Sequence, residues 1–128
     1  MRYLSAAEIL LIHSAIIDET GGLHGVRDLG LVESAAKQPR QSAFGAQLYP
    51  TIHKKAAVYI HAVIFGHAFL DGNKRTAMTV SGVFLEDNGY SLVVPEGEIE
   101  RVAVAIVVLH WDIPTIATWL EENTKKTR

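Results

Sequence analysis

His67, Asp71, Gly72, Asn73, Lys74 and Arg75 lie together in the stretch His67-Ala68-Phe69-Leu70-Asp71-Gly72-Asn73-Lys74-Arg75. Gly72 can turn the chain sharply into a helix. Asn73 is a favoured cap, and the free amides of a first helical turn make an anion site. Lys74 and Arg75 then oppose the helix dipole, which prefers acids at that end by about 0.3–1 kcal/mol each. A polyanion such as a nucleotide phosphate chain compensates for this, with Arg75 binding in a planar two-point manner and Lys74 as a point charge. Asp71, directly before the turn, is placed to bridge to the same phosphates through Mg2+. His67 is the natural general base for a hydroxyl. The reaction class is magnesium-assisted transfer of a phosphorus group onto an alcohol.

Two other readings of these residues stay open. The same types occur together in loops without function, since short motifs carry false positives. A zinc site from His53, His61 and His67 is a weaker alternative, because no His-Glu-x-x-His spacing is present. The Gly-x-x-x-x-Gly-Lys-Thr spacing of a P-loop is also missing.

The elements that position this stretch read as helices. Ser5-Ala6-Ala7-Glu8 has capping-box spacing, and apolar residues from Ile9 to Ile17 predict a first helix over about Ser5–Glu19. His13 lies on it as a partly buried packing residue. Gly21-Gly22 ends that helix and opens a loop through Arg27. Asp28 caps a helix over Leu29–Lys37. Arg40–Tyr49 is either a surface loop or a short hairpin, and either a connector or a holder of a protein substrate. Thr51 caps a helix from Ile52 to about Gly66, wide enough in its apolar side to be central. A further core helix runs from Asn73 or Lys74 to Asn88. Tyr90–Val94 alternates weakly. Glu98–His110 is strand-like in composition and helix-like in length, and we read it as helix. A last helix follows Pro114, through Trp119 and Leu120. Thr124–Arg128 is expected to be a frayed basic tail. The result is an all-α, compact bundle of about six helices, with the active-site loop entering a central helix and one domain over residues 1–128.

Bulk properties exclude several classes. Twelve Lys and Arg against fourteen Asp and Glu give a net charge of −2, so no basic field exists for general nucleic-acid binding. The absence of cysteine removes disulfides and thiolate metal sites and suits a cytoplasmic location. Neither of the longest apolar runs, Ile9–Ile17 and Val102–Leu109, approaches the roughly 20 residues of a membrane span. No signal-peptide cleavage pattern follows Met1.

The motif stretch resembles that of the Fic/Doc superfamily, and more narrowly the Doc (death-on-curing) toxins of bacterial and phage toxin–antitoxin pairs. Gly21-Gly22, Gly25-Val26-Arg27-Asp28, Leu31–Ala35, Tyr49-Pro50, Phe84–Tyr90 and Trp119-Leu120 continue the similarity over nearly the whole chain. The resemblance implies that His67 activates the target hydroxyl, that Asp71 holds Mg2+, and that Gly72, Asn73, Lys74 and Arg75 bind the phosphates of ATP. Family members that transfer AMP have glycine where this chain has Lys74; Doc proteins have lysine and present the γ-phosphate. The implied function is a type II toxin that acts as a serine/threonine protein kinase. Its target would be a threonine of elongation factor Tu, and modification would arrest translation. An AMP transferase on the same fold and a non-catalytic antitoxin-binding module are the alternatives. Two departures stand out: Ala68 replaces a common proline, and Phe65 a residue that is basic in some members. The inhibitory-helix pattern of many Fic enzymes is out of register here, with Leu92 where a hydroxyl is required ahead of Glu96-Gly97. The resemblance therefore implies inhibition by a separate, Phd-like antitoxin.

Overall fold

In the computed structural model, which describes residues 1–127, α1 (Ala6–Thr20) opens with both halves of the capping box. The Glu8 amide donates to Ser5 Oγ at 3.2 Å, and the Ser5 amide donates to Glu8 Oε1 at 3.1 Å. Asp28 caps α2 (Leu29–Lys37) through the Leu31 amide at 3.3 Å. A 3-10 turn, Gln38–Arg40, leads into a small antiparallel hairpin of β1 (Ser42–Ala43) and β2 (Ala46–Gln47), with Phe44 fully exposed at its tip. The loop-or-hairpin alternative thus resolves as a hairpin.

Thr51 caps α3 (Ile52–Gly66), accepting from the Lys54 amide at 3.2 Å. Every residue from Lys55 to Ile60 is buried, and α3 packs against α2, α4 (Asn73–Asp87) and α6 (Ile113–Asn123). It is the most enclosed helix; α4 beside it keeps Lys74, Arg75 and Thr79 exposed while burying Ala77, Val80, Phe84 and Leu85. Lys55, only 1% exposed, donates from Nζ to the Pro39 carbonyl (3.1 Å) and Gln47 Oε1 (2.6 Å). Those bonds tie the 3-10 turn and the hairpin to the central helix, and they satisfy a cation that would otherwise be costly to bury.

The N-terminal segment is fastened through α3 as well. The Leu4 amide donates to the Tyr59 hydroxyl at 3.0 Å, and both residues are wholly buried. Burial pushes the Tyr59 hydroxyl up to about 12. Tyr59→Phe leaves the Leu4 amide without its partner, so urea denaturation should show a loss of about 1–3 kcal/mol; an unchanged midpoint would mean that water replaces the hydroxyl.

α5 (Glu98–Leu109) is a helix despite its β-branched content, burying Val102, Ala103 and Ile106 on one face. Glu98 clasps it to α6. The Arg101 guanidinium donates to both carboxylate oxygens at 2.7 Å, and the Trp119 indole N–H donates at 3.2 Å. These contacts, the Arg101 bond first, hold the Glu98 carboxyl down at about 2. Its stabilising contribution is therefore full above the ordinary carboxylate range and is lost as the pH falls toward 2.

The expected frayed tail is corrected. β4 (Thr124–Lys126) pairs antiparallel with β3 (Tyr90–Leu92), and the Thr127 amide donates to the Gly89 carbonyl at 2.9 Å. Two short segments supply each other's backbone partners, which neither could do alone. Arg128, the last residue of that expected tail, lies outside the described residues. Among the described residues the architecture is otherwise the expected one of six helices, with two minimal two-stranded sheets added. Among the described residues no helix is long and apolar enough to cross a membrane.

Candidate active site

Residues 67–72 join α3 to α4, and their shape is set by what grips them. His67 ends α3 in the left-handed conformation, φ 49° and ψ 47°, and is exposed. Histidine is among the few side chains enriched in that region. The Arg27 guanidinium donates from Nε to the His67 carbonyl (2.6 Å) and from Nη2 to the Gly66 carbonyl (3.0 Å), occupying acceptors that α3 leaves open at its C-terminus. A cation also suits that end of the helix dipole.

The segment from Leu23 to Asp28 runs antiparallel beside the loop as a strap. The Ala68 carbonyl accepts from the Arg27 (2.7 Å) and Asp28 (3.1 Å) amides, and the Leu70 amide donates to the Gly25 carbonyl at 3.2 Å. Val26 and Phe69 form an isolated β-bridge. Ala68 and Phe69 point into the core, leaving Leu70 and Asp71 outside. Ala68, one of the two departures from the motif noted above, is thus held by the strap.

Asp71 is exposed, and its two carboxylate oxygens each accept one amide: Oδ2 from Leu23 at 3.2 Å and Oδ1 from Gly72 at 3.0 Å. Each oxygen keeps a further lone pair for a cation. Gly22 makes this possible. It has φ +113°, and a Cβ added there would sit 2.7 Å from Asp71 Oδ2.

The start of α4 differs from expectation in one respect. Gly72, at φ 76°, is the N-cap and makes no side-chain cap bond; Asn73 is already helical. The Asn73 side chain turns back instead, accepting from the Phe69 amide (3.2 Å) and donating to the Phe69 carbonyl (3.0 Å). Its amide group therefore braces the loop, and any anion contact from Asn73 comes through its backbone N–H. The Thr76 amide is the first to bond back, to the Gly72 carbonyl at 2.9 Å, so the amides of 73–75 precede the first helical bond. Lys74 and Arg75 are exposed, and among the described residues neither is in an ion pair. Both line a groove of about 520 Å³ between α1, α4 and α5, with Ile16, Met78, Ala103 and Val104 as apolar walls and Glu19 and Glu100 as acids.

The structure thus brings His67, Asp71 and the Gly72–Arg75 turn onto one braced loop, with His67 at one end and the cations Lys74 and Arg75 at the other. The zinc alternative does not assemble. His53 bonds Thr124 Oγ1 at 2.8 Å and His61 packs on Phe65 with ring centroids 4.6 Å apart. Phe65 itself lies between His61 and His110, turned to aromatic packing rather than to an anion.

Residues 3–85, which include the whole loop, α3 and all but the last two residues of α4, match the model of the Fic/DOC family. The chain belongs to the Fic/Doc family. A protein named Toxin Doc from Mycolicibacterium smegmatis (strain ATCC 700084 / mc(2)155) is 37% identical over 90 residues, covering 70% of this chain and 67% of that protein. Protein kinase doc of Escherichia phage P1 is 35% identical over 89 residues, 70% of each chain. The mostly helical body with a braced loop between its two central helices is the Fic/Doc fold, and β3, α5, α6 and β4 extend it past the family match.

Two residues that hold this Fic/Doc loop were not assigned to it from sequence. Arg27 figured only as part of a family-like pattern, and its bonds reach residues 39 and 40 positions away. His13, expected as a partly buried packing residue, is fully buried at 3% exposure and bonds the loop directly. Its spacing of four from both Ile9 and Ile17 marks it as buried with them on α1, but nothing in that spacing names its partner. The segment out of register with the inhibitory pattern, 91–97, is strand and loop: Leu92 ends β3 and Gly97 caps α5.

Proposed function

We propose that this chain is a Doc-type toxin acting in the cytoplasm as one Fic/Doc domain over residues 1–128. In this reading it transfers the γ-phosphate of ATP to a threonine hydroxyl of a translation factor of the elongation factor Tu type. The observation that carries the proposal is Lys74: a cation with no ion pair among the described residues, in the first turn of α4, where family members that transfer AMP have glycine. The relative named Protein kinase doc supports the same choice.

The residues fit Mg2+ and ATP. Asp71 offers exposed hard oxygens with free lone pairs. The amides of residues 73–75, Lys74 and Arg75 offer a concentrated anion site. Mg2+ held by Asp71 would neutralise phosphate charge and orient the chain of phosphates. His67, exposed at the mouth of the loop, takes the proton of the target hydroxyl. That oxygen bonds to the γ-phosphorus, the bond to the β–γ bridging oxygen breaks, and ADP leaves with the electron pair. Lys74 and Arg75 stabilise charge on the phosphoryl group and the departing ADP.

Lys74→Gly should lower γ-phosphoryl transfer roughly 10²-fold, the scale of losing one positioned charge contact, and open room for the AMP-transfer pose. Initial rates under saturating ATP check this, and undiminished transfer would remove Lys74 from its role.

A Phd-like antitoxin is the proposed regulator. A segment seated in the groove between α1, α4 and α5 would cover Lys74 and Arg75 together. The toxin reading is tested by adding the purified protein and Mg-ATP to a translation extract. Synthesis should stop, and unimpaired synthesis would contradict a translation target.

A further inference from the structure

We infer that His13 is a positioning residue for the loop, holding the Asp71–Gly72 peptide from beneath; this rests on the metal role proposed for Asp71. The imidazole lies flat on the Phe69 ring, with centroids 3.8 Å apart and planes at 7°. Its Nε2 is 2.8 Å from the Asp71 carbonyl oxygen. A carbonyl only accepts, so Nε2 carries the proton and donates, which fixes the ring's donor on the loop side. The peptide it grips joins the carboxylate-bearing residue to the cap of α4. One donor therefore sets both where the Asp71 side chain starts and where the amides of the anion turn point.

α1 supplies the rest of the floor. Ile17, one turn after His13, has its Cδ1 only 3.0 Å from where a Cβ on Gly72 would be, and the His13 ring lies 3.8 Å from that point. The loop is thus clamped between the strap above and α1 below. Packing alone does not account for an imidazole here, because an apolar ring would fill the same volume without burying a polar nitrogen. His13 touches no reacting atom in this arrangement; it acts through Asp71.

Two variants separate donor from ring. His13→Phe keeps a flat ring on Phe69 and loses the N–H; His13→Gln keeps an N–H at similar reach and loses the ring. In the protein without nucleotide, His13→Phe should speed hydrogen exchange at the Phe69, Leu70 and Gly72 amides. It should also raise the Mg2+ concentration for half-maximal binding, followed by calorimetry with ATP present, roughly 10–100-fold, as loss of a group supporting a metal ligand does. The maximal rate at saturating Mg2+ should change less than that requirement. His13→Gln should recover much of the protection and Mg2+ affinity. Exchange and Mg2+ dependence of His13→Phe equal to wild type would overturn the inference. If His13→Phe does not fold, a folded His13→Gln with wild-type exchange supports it and one with a loosened loop overturns it. If neither folds, His13 is a core residue and the inference falls. Should the wild type transfer nothing, the exchange measurements still decide the grip on the loop while the proposed function fails.

Discussion

Replacing His67 with asparagine is expected to lower phosphoryl transfer by about 10²–10⁴-fold while leaving the fold intact. Asparagine is the informative choice because the residue must hold φ 49° at the end of α3, a conformation asparagine tolerates better than alanine. It cannot take a proton, so its defect isolates proton removal from loop geometry. Because His67 is exposed and its carbonyl, not its ring, is held by Arg27, the unfolding midpoint should stay close to wild type. Rates and thermal unfolding measured side by side check both halves. Expression provides a second reading: wild type should arrest growth and His67→Asn should not. Equal arrest by both would point to a protein that acts by binding.

Gly22→Ala is expected to be strongly damaging although it lies outside the motif. Two effects combine. The backbone there has φ +113°, so any side chain is strained, and alanine at such a position destabilises by more than about 1 kcal/mol. The added methyl would also lie 2.7 Å from Asp71 Oδ2, so the carboxylate must move away from the Leu23 amide. Displaced from its amide partner, Asp71 presents a poorer cation site, and transfer should fall at least tenfold at limiting Mg2+, by the rule that groups supporting a metal ligand matter on that scale. Raising Mg2+ should restore part of the rate; a purely structural defect would not respond to the metal. An unchanged Mg2+ titration would mean that the strap is spacing alone.

The contrast between what was legible and what was not follows from range. Capping residues Ser5, Asp28 and Thr51 act within three positions, and each predicted helix start was found at its place. The motif is likewise local, and its chemistry could be read from residue types. The supports are not local. His13 and Arg27 reach the loop from 58 and 40 positions away, and neither distance leaves a periodic trace. Asn73 was read as a cap because its type suits one, yet Gly72 takes the cap and frees the amide side chain to brace Phe69. Thr124–Lys126 looked solvated because its residues are polar; three residues are too few for an alternating signal, and its partner, Tyr90–Leu92, is equally short. The groove beside Lys74 and Arg75 was invisible for a similar reason, since three separate helices build it.

The chemistry turns on which phosphorus is transferred, and the mass of the target reports this directly. Purified protein, Mg-ATP and elongation factor Tu should yield a target heavier by one phosphoryl group, on a threonine, with the His67→Asn reaction left unmodified. A gain of an AMP moiety would contradict the kinase assignment and the role given to Lys74.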